Sequence, residues 1–194
     1  MRQHSRRHTE PRPRARRGAD RGDDTAHSEY AAATGAAGIL FTCSAFGEAI
    51  EAAAAPAPIP VLKPNEAMFE AALAAGQRIG MLATFAPSVA SMEQEFRAMA
   101  ETHRSPATIE SYCVPGAMAA LKAGDAAAHN GLLAQSAGRF EHCDAVLLAH
   151  FSTARAAPAV SAALGRPVLT SPGSAVAKLK RIIAGREALA MSSN

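Results

Sequence analysis

From residue 30 onward, short aliphatic runs alternate with longer alanine-rich segments of helical period. Residues 30–37 close a helix at Gly35 or Gly38. The run Ile39-Leu40-Phe41-Thr42 predicts a buried strand that ends in a polar turn. A helix over 47–55 follows, stopped by Pro56, Pro58 and Pro60, and then a strand over 60–62. Asn65 stands as N-cap of a helix over 66–75 that stops at Gly76. Residues 78–84 predict another apolar strand. Pro87 suits the first turn of a helix reaching 102, with Met92, Phe96 and Met99 spaced for its core face. Further strands are expected over 107–114, 144–151 and 167–170. Helices are expected over 117–123, 125–140, 156–164 and 173–190. Strands alternating with helices predict parallel sheets and an α/β fold.

The element order repeats. Cys43 and His150 are 107 residues apart, and so are Pro60-Val61-Leu62 and Pro167-Val168-Leu169. At that shift Ile39–Cys43 lies over Val146–His150, and each copy continues as turn, alanine-rich helix, Pro-Val-Leu strand and helix. Two α/β halves about a pseudo-twofold axis are the expected consequence. Their strand tips would face one cleft, with Cys43 on one wall and His150 on the other. Strand 78–84 and helix 88–102 have no counterpart 107 residues earlier, and the counterpart of strand 107–114 falls in an arginine-rich segment. The first half is therefore expected to be incomplete and the chain N-terminally truncated or mis-framed. The expected division is 1–29 as a tail, 30–76 with 171–194 as the incomplete first half, and 77–170 as the second.

Composition changes the picture at the N-terminus. Residues 1–21 hold eight arginines against Glu10 and Asp20, whereas residues 30–194 hold 12 basic and 12 acidic side chains. The formal charge of +3 thus belongs to a tail almost without aliphatic residues, which cannot offset its ordering entropy and is expected to be disordered. A basic arm for nucleic acid, a targeting peptide and non-native sequence from a wrong start or shifted frame compete for it; the last is favoured. A neutral globular part argues against a specific nucleic-acid surface. No apolar run is long enough to span a membrane. Three cysteines without metal-ligand spacing suggest reduced thiols and a cytoplasmic location.

The candidate chemistry gathers at strand ends. Cys43 falls at the carboxyl tip of a strand, where open α/β sheets bind ligands, and the following helix N-terminus favours its thiolate. A small buried filler is the alternative for it. His150, with a reference pKa near 6.5, suits proton transfer, or is merely hydrogen-bonded. Thr42, Ser44, Thr84 and Ser152 could be ordinary turn and cap residues, and Ser88 sits in the first turn of the helix that reaches 102. Cys113 and Cys143 are expected to be buried structural thiols. His103, His129 and His142 are expected on solvated helix ends, and Lys178, Lys180 and Arg181 on a solvated helix face. No metal site is expected.

Four segments together resemble the aspartate/glutamate/hydantoin racemase superfamily: 38–48 with Cys43, 60–68, 78–91 with Leu82-Ala83-Thr84-Phe85-Ala86-Pro87-Ser88, and 144–155. The resemblance spans about residues 30–190 and implies two pseudo-twofold-related α/β halves. It implies cofactor-independent proton transfer at the carbon next to a carboxylate, by two cysteines that flank that carbon. Cys43 matches the first-half cysteine. Thr42, Ser44 and the N–H groups of Ser44 and Ala45 match its carboxylate donors, and Thr84 and Ser88 match the second-half loop. The departure is Ala149-His150-Phe151-Ser152, where the racemases have their second cysteine. His150 would then be the opposing acid/base, with Ser152 beside it.

A small carboxylate substrate and no cofactor follow from the resemblance, and a homo-oligomer is compatible with it. A single-thiol decarboxylase-like enzyme and an inactive carboxylate-binding relative are the alternatives. A basic-tailed nucleic-acid-associated protein is a third and weaker one.

Overall fold

The computed structural model describes residues 30–42 and 47–192. Cys43, Ser44 and Ala45 lie outside the described residues, as does the arginine-rich tail. Strand β1 (Ile39–Leu40) is joined through helix α1 (Gly47–Ala54) to β2 (Val61–Leu62), and the two strands pair in parallel. Helix α2 (Glu66–Ala75) leads to β3 (Arg78–Ala83), α3 (Val89–Thr102) and β4 (Thr108–Cys113). Helices α4 (Ala117–Lys122) and α5 (Ala126–Ser136) precede β5 (Ala145–Leu148). Helices α6 (His150–Thr153) and α7 (Ala157–Leu164), strand β6 (Leu169–Thr170) and helix α8 (Ser171–Ser192) complete the chain. The second sheet is parallel, in the order β4-β3-β5-β6. The α/β class with parallel sheets is as the alternating pattern predicts. No described helix is long and apolar enough to cross a membrane.

The continuous apolar run at β5 follows from burial on both faces. Ala145, Leu147 and Ala149 join Met68, Phe69, Met92 and Phe96 from α2 and α3 on one face. Val146 and Leu148 join Leu133, Phe140 and Val160 on the other. The rings of Phe69 and Phe96 meet edge to face at 5.6 Å, so the α2–α3 layer is fixed by shape as well as by burial.

Strand pairing repeats at the sequence offset. Leu40 pairs with Leu62, and 107 residues later Leu147 pairs with Leu169. Helix α2 and the first half of α8 stand in the same relation, and they pack together through Lys178, whose ammonium reaches Glu66 at 2.6 Å and Glu70 at 2.7 Å. Lys178 is therefore not on a solvated face. Burial works to lower its pKa, but the two carboxylates outweigh it and the net shift is upward. The buried Ser171 hydroxyl donates to the Pro64 carbonyl, which is 107 residues away. A contact between equivalent positions is what a twofold relation requires near its axis. Pro64 follows β2 and Ser171 follows β6, so the carboxyl ends of the two sheets meet there.

Three local expectations change. Asn65 does not cap α2; its backbone is already helical, and its buried side chain donates to Glu95 Oε2 at 3.1 Å and lies 3.4 Å from Ser171 Oγ. The strand expected over 144–151 ends at Leu148, because the chain turns into α6 at His150. His129 is buried at 1% exposure on α5 rather than solvated. His103 and His142 are exposed, as expected.

Gly80, in β3, has no room for a side chain, because a Cβ there would penetrate the ring of Phe140. Gly80→Ala is expected to destabilise the fold by about 1–3 kcal/mol, read as a lower urea midpoint. Phe140→Leu in the same chain should recover part of the loss. An unchanged midpoint for Gly80→Ala would contradict the packing described.

Candidate active site

The carboxyl end of the larger sheet gathers polar side chains because β3 and β5 finish side by side. Leu82 pairs with Leu148, and the Ala149 N–H donates to the Leu82 carbonyl at 2.9 Å. Thr84 directly follows β3 and His150 follows β5 by two residues, so both stand at this end of the sheet. The chain after β3 turns through a 3-10 helix, Ala86–Ser88, with Pro87 in its first turn. That turn brings Ser88 Oγ to 2.7 Å from His150 Nε2.

His150 has a φ of +71°, left-handed backbone that a non-glycine residue adopts at a cost of about 1–2 kcal/mol. The Thr153 hydroxyl holds this turn by donating to the carbonyls of Ala149 and His150. Left-handed backbone at a side chain with chemical potential is typical of functional sites.

The Ser88 hydroxyl lies 2.9 Å from the Phe85 carbonyl and 2.7 Å from His150 Nε2. The bond to Nε2 is given by the hydroxyl or by Nε2–H according to the imidazole tautomer. Nδ1 is buried with no hydrogen bond of acceptable geometry among the described residues. Burial pushes the His150 pKa below its ordinary value of 6.5, and the Ala149 backbone opposes this only in part. The ring therefore takes up a proton less readily than a free imidazole.

Thr84 Oγ1 is also buried without a hydrogen-bond partner among the described residues. A buried hydroxyl left unpaired costs about 1–3 kcal/mol. Among the described residues, Ser111 Oγ and His129 Nε2 share that state elsewhere. Two such groups, Thr84 Oγ1 and His150 Nδ1, stand at one sheet end.

The structure thus brings Ser88 and His150 into contact and sets Thr84 at the same end of the sheet. Ser152 is half-buried on α6, and Thr42 is exposed just beyond β1. Cys113, expected to be buried, is half-buried as the last residue of β4. Cys143 is buried at the opposite end of β5, and burial together with the adjacent Glu110 pushes its thiol up to about 12. A protonated thiol at that end is no partner for His150.

Asn65, Glu95 and Ser171 form a polar network that the linear pattern did not reveal. Burial raises the Glu95 pKa, opposed by the Asn65 hydrogen bond and by Lys63. Beside it a cavity of about 360 Å³ opens between α2 and α3, lined by Lys63, Glu66, Glu95, Met99 and His103 among others. None of the expected site residues lines it.

A family model described as Asp/Glu/Hydantoin racemase matches residues 7–112, just over half the chain. No curated protein sequence matches. Unliganded arylmalonate decarboxylase superposes with a TM-score of 0.60 at 18% identity, over 86% of this chain and 76% of that one. A glutamate racemase isoform from Bacillus anthracis gives 0.58 at 16% identity, over 90% and 68%. Glutamate racemase from Francisella tularensis subsp. tularensis SCHU S4, in complex with D-glutamate, gives 0.58 at 12% identity, over 91% and 69%. These likenesses are of fold.

A histidine whose folded pKa lies below its unfolded value binds fewer protons folded than unfolded as the medium becomes acidic. Its contribution to stability is therefore full above the ordinary value of 6.5 and is lost as pH falls toward the lower folded value. The urea midpoint of the wild type should fall more steeply than that of His150→Gln as pH drops from about 7 to about 5. Parallel curves would show that His150 titrates normally.

Proposed function

The chain belongs to the Asp/Glu/hydantoin racemase family, and on that premise we propose that it moves a proton, without a cofactor, at the carbon next to a carboxylate. Cys43 and His150 are the two acid/base groups, and the reaction is of the racemase or isomerase type. The observation that carries this is the half-buried His150, its pKa lowered by burial and its buried Nδ1 without a hydrogen-bond partner among the described residues. It stands at the offset of 107 from Cys43 and beyond the end of the strand equivalent to β1.

The protonation state sets the direction of the first step. A neutral imidazole is ready to accept a proton, so His150 Nδ1 takes the α-proton and the Cys43 thiol gives one to the opposite face. The products are an imidazolium and a thiolate, which together run the reverse direction. No net proton is gained or lost. Ser88 is a positioning residue here: its hydroxyl holds His150 Nε2 at 2.7 Å, and where it accepts from Nε2–H it leaves Nδ1 as the base. The substrate carboxylate would be met by the Thr84 hydroxyl, whose buried oxygen has no other described partner. Thr42, Ser44, Ser152 and the N–H groups of Ser44 and Ala45 complete the proposed set of donors. Fixed donors in a water-poor site stabilise the charge that develops as the α-proton leaves.

The same reading divides the folded chain into 30–76 with 171–194, and 77–170. Support comes from α8, which binds α2 through Lys178 and the Pro58 carbonyl through Arg186. A decarboxylase-like reaction is the second reading. It is favoured by the absence of a cysteine from 149–152, so that one thiol would protonate one face.

The test is wash-in of solvent deuterium at the α-carbon of amino acids, hydantoins and 2-substituted malonates. Exchange should fall about 10²–10⁴-fold in Cys43→Ser and in His150→Gln. Ser88→Ala should shift the pH profile while leaving residual exchange. Release of CO₂ from a malonate, dependent on Cys43 and insensitive to His150→Gln, would select the decarboxylase reading. Ligand-induced thermal stabilisation without exchange or CO₂ release would leave a carboxylate-binding protein and overturn both.

A further inference from the structure

We propose that Glu110, His142 and Cys143 form a binding site for a divalent cation of the zinc class, separate from the proposed proton-transfer site. Their donor atoms already converge. His142 Nε2 lies 2.7 Å from Glu110 Oε1. Cys143 Sγ lies 3.2 Å from the same oxygen and 3.7 Å from His142 Nε2. All three donors fall within 4.8 Å of one another.

The fold explains the convergence. Glu110 pairs with Gly80 across β4 and β3, and Gly80 in turn pairs with Val146 of β5. Gly80 carries no side chain, so nothing on β3 blocks the path from Glu110 to the turn before β5. Phe140 fills the hollow over Gly80 and forms, with Val146, an apolar floor beside Cys143. The thiol is buried, whereas the imidazole and carboxylate are half exposed, at 55% and 52%. One wall of the site is therefore rigid and the other two donors can adjust.

The donor set is one sulfur, one nitrogen and one oxygen. It suits a borderline-soft cation of tetrahedral preference and disfavours magnesium or calcium, which take oxygen. Bonds of about 2.0–2.3 Å at tetrahedral angles place neighbouring donors about 3.3–3.7 Å apart. The Cys143–His142 separation of 3.7 Å already fits, and the Cys143–Glu110 separation of 3.2 Å falls just short of the range. The His142–Glu110 separation must open by about 0.6 Å, which two exposed side chains can do. A fourth position remains toward solvent for water.

Charge is consistent. The Glu110 carboxylate and a Cys143 thiolate would offset the cation. Nearby Arg78 is paired with Asp144 at 3.0 Å, and Arg166 is held by the Phe140 carbonyl at 2.9 Å. On binding, the cation replaces the thiol proton, which passes to buffer. The bound ion would tie β4 to the turn before β5, across β3. Cys143 precedes β5 and His150 follows it, so the ion sits on the order of 20 Å from the proposed chemistry.

Titration of the full chain with Zn²⁺ should show one equivalent bound, with release of about one proton read from the buffer dependence of the heat. Co²⁺ in its place should give a thiolate-to-cobalt charge-transfer band that Cys143→Ser abolishes and Cys113→Ser keeps. Glu110→Gln and His142→Ala should each weaken Zn²⁺ binding by about tenfold or more. These two alter exposed side chains, so their metal-free thermal unfolding should match the wild type. The proposal is overturned by a lack of stoichiometric uptake, by a cobalt band that survives Cys143→Ser, or by unchanged affinity in both Glu110→Gln and His142→Ala.

Discussion

The Ser171 hydroxyl, buried and donating to the Pro64 carbonyl, closes the carboxyl ends of two parallel sheets on one another. A polar bond sealed from water is costly to leave unmade, so the junction resists opening in a way that apolar packing alone would not. Asn65 and Glu95 extend it on one side, and the Lys178 bridges to Glu66 and Glu70 lie on the α2–α8 contact. The orientation of strand ends follows from this junction. Thr42 lies beyond β1, beside β2, and His150 lies beyond β5, beside β6. The proposed cleft inherits its two walls from that arrangement.

Strand β5 then separates two kinds of chemistry. At its carboxyl end, burial lowers the pKa of a histidine whose Nδ1 has no hydrogen-bond partner among the described residues. At its amino end, burial and Glu110 keep a thiol protonated, and Asp144 beside it is held at about 2 by hydrogen bonds from Arg78 and Gln77. The same effect, loss of solvent, thus favours a neutral base at one end. At the other it favours a neutral thiol that only a cation would readily deprotonate.

Much of the fold was legible because it is written in short-range patterns. The apolar run at β5 marks a strand buried on both faces, and the shift of 107 residues returns as a repeated register, Leu40 with Leu62 and Leu147 with Leu169. What was not legible depends on distant partners. Asn65 has the composition of a cap, but Glu95 and Ser171 claim its side chain. Lys178 lies on a polar stretch, but the carboxylates that bind it are more than 100 residues earlier. Glu110 and Cys143 have no metal-ligand spacing, because a glycine on the strand between them brings them together. The end of β5 was placed too late because the left-handed backbone of His150 leaves no signature in residue type. Of the expected site, His150 was named from a strand end, where the physics of parallel sheets concentrates ligands, and Thr84 and Ser88 from the family resemblance. Cys43, Ser44 and Ala45 fall outside the described residues.

The central claim is that Cys43 and His150 share one cleft. Alkylation of Cys43, followed site by site by mass spectrometry across pH, tests this most directly. If they share a cleft, His150→Gln shifts the pH at which Cys43 becomes reactive, and a bound small carboxylate protects Cys43 in the wild type. An alkylation profile indifferent both to His150→Gln and to carboxylates would contradict the account.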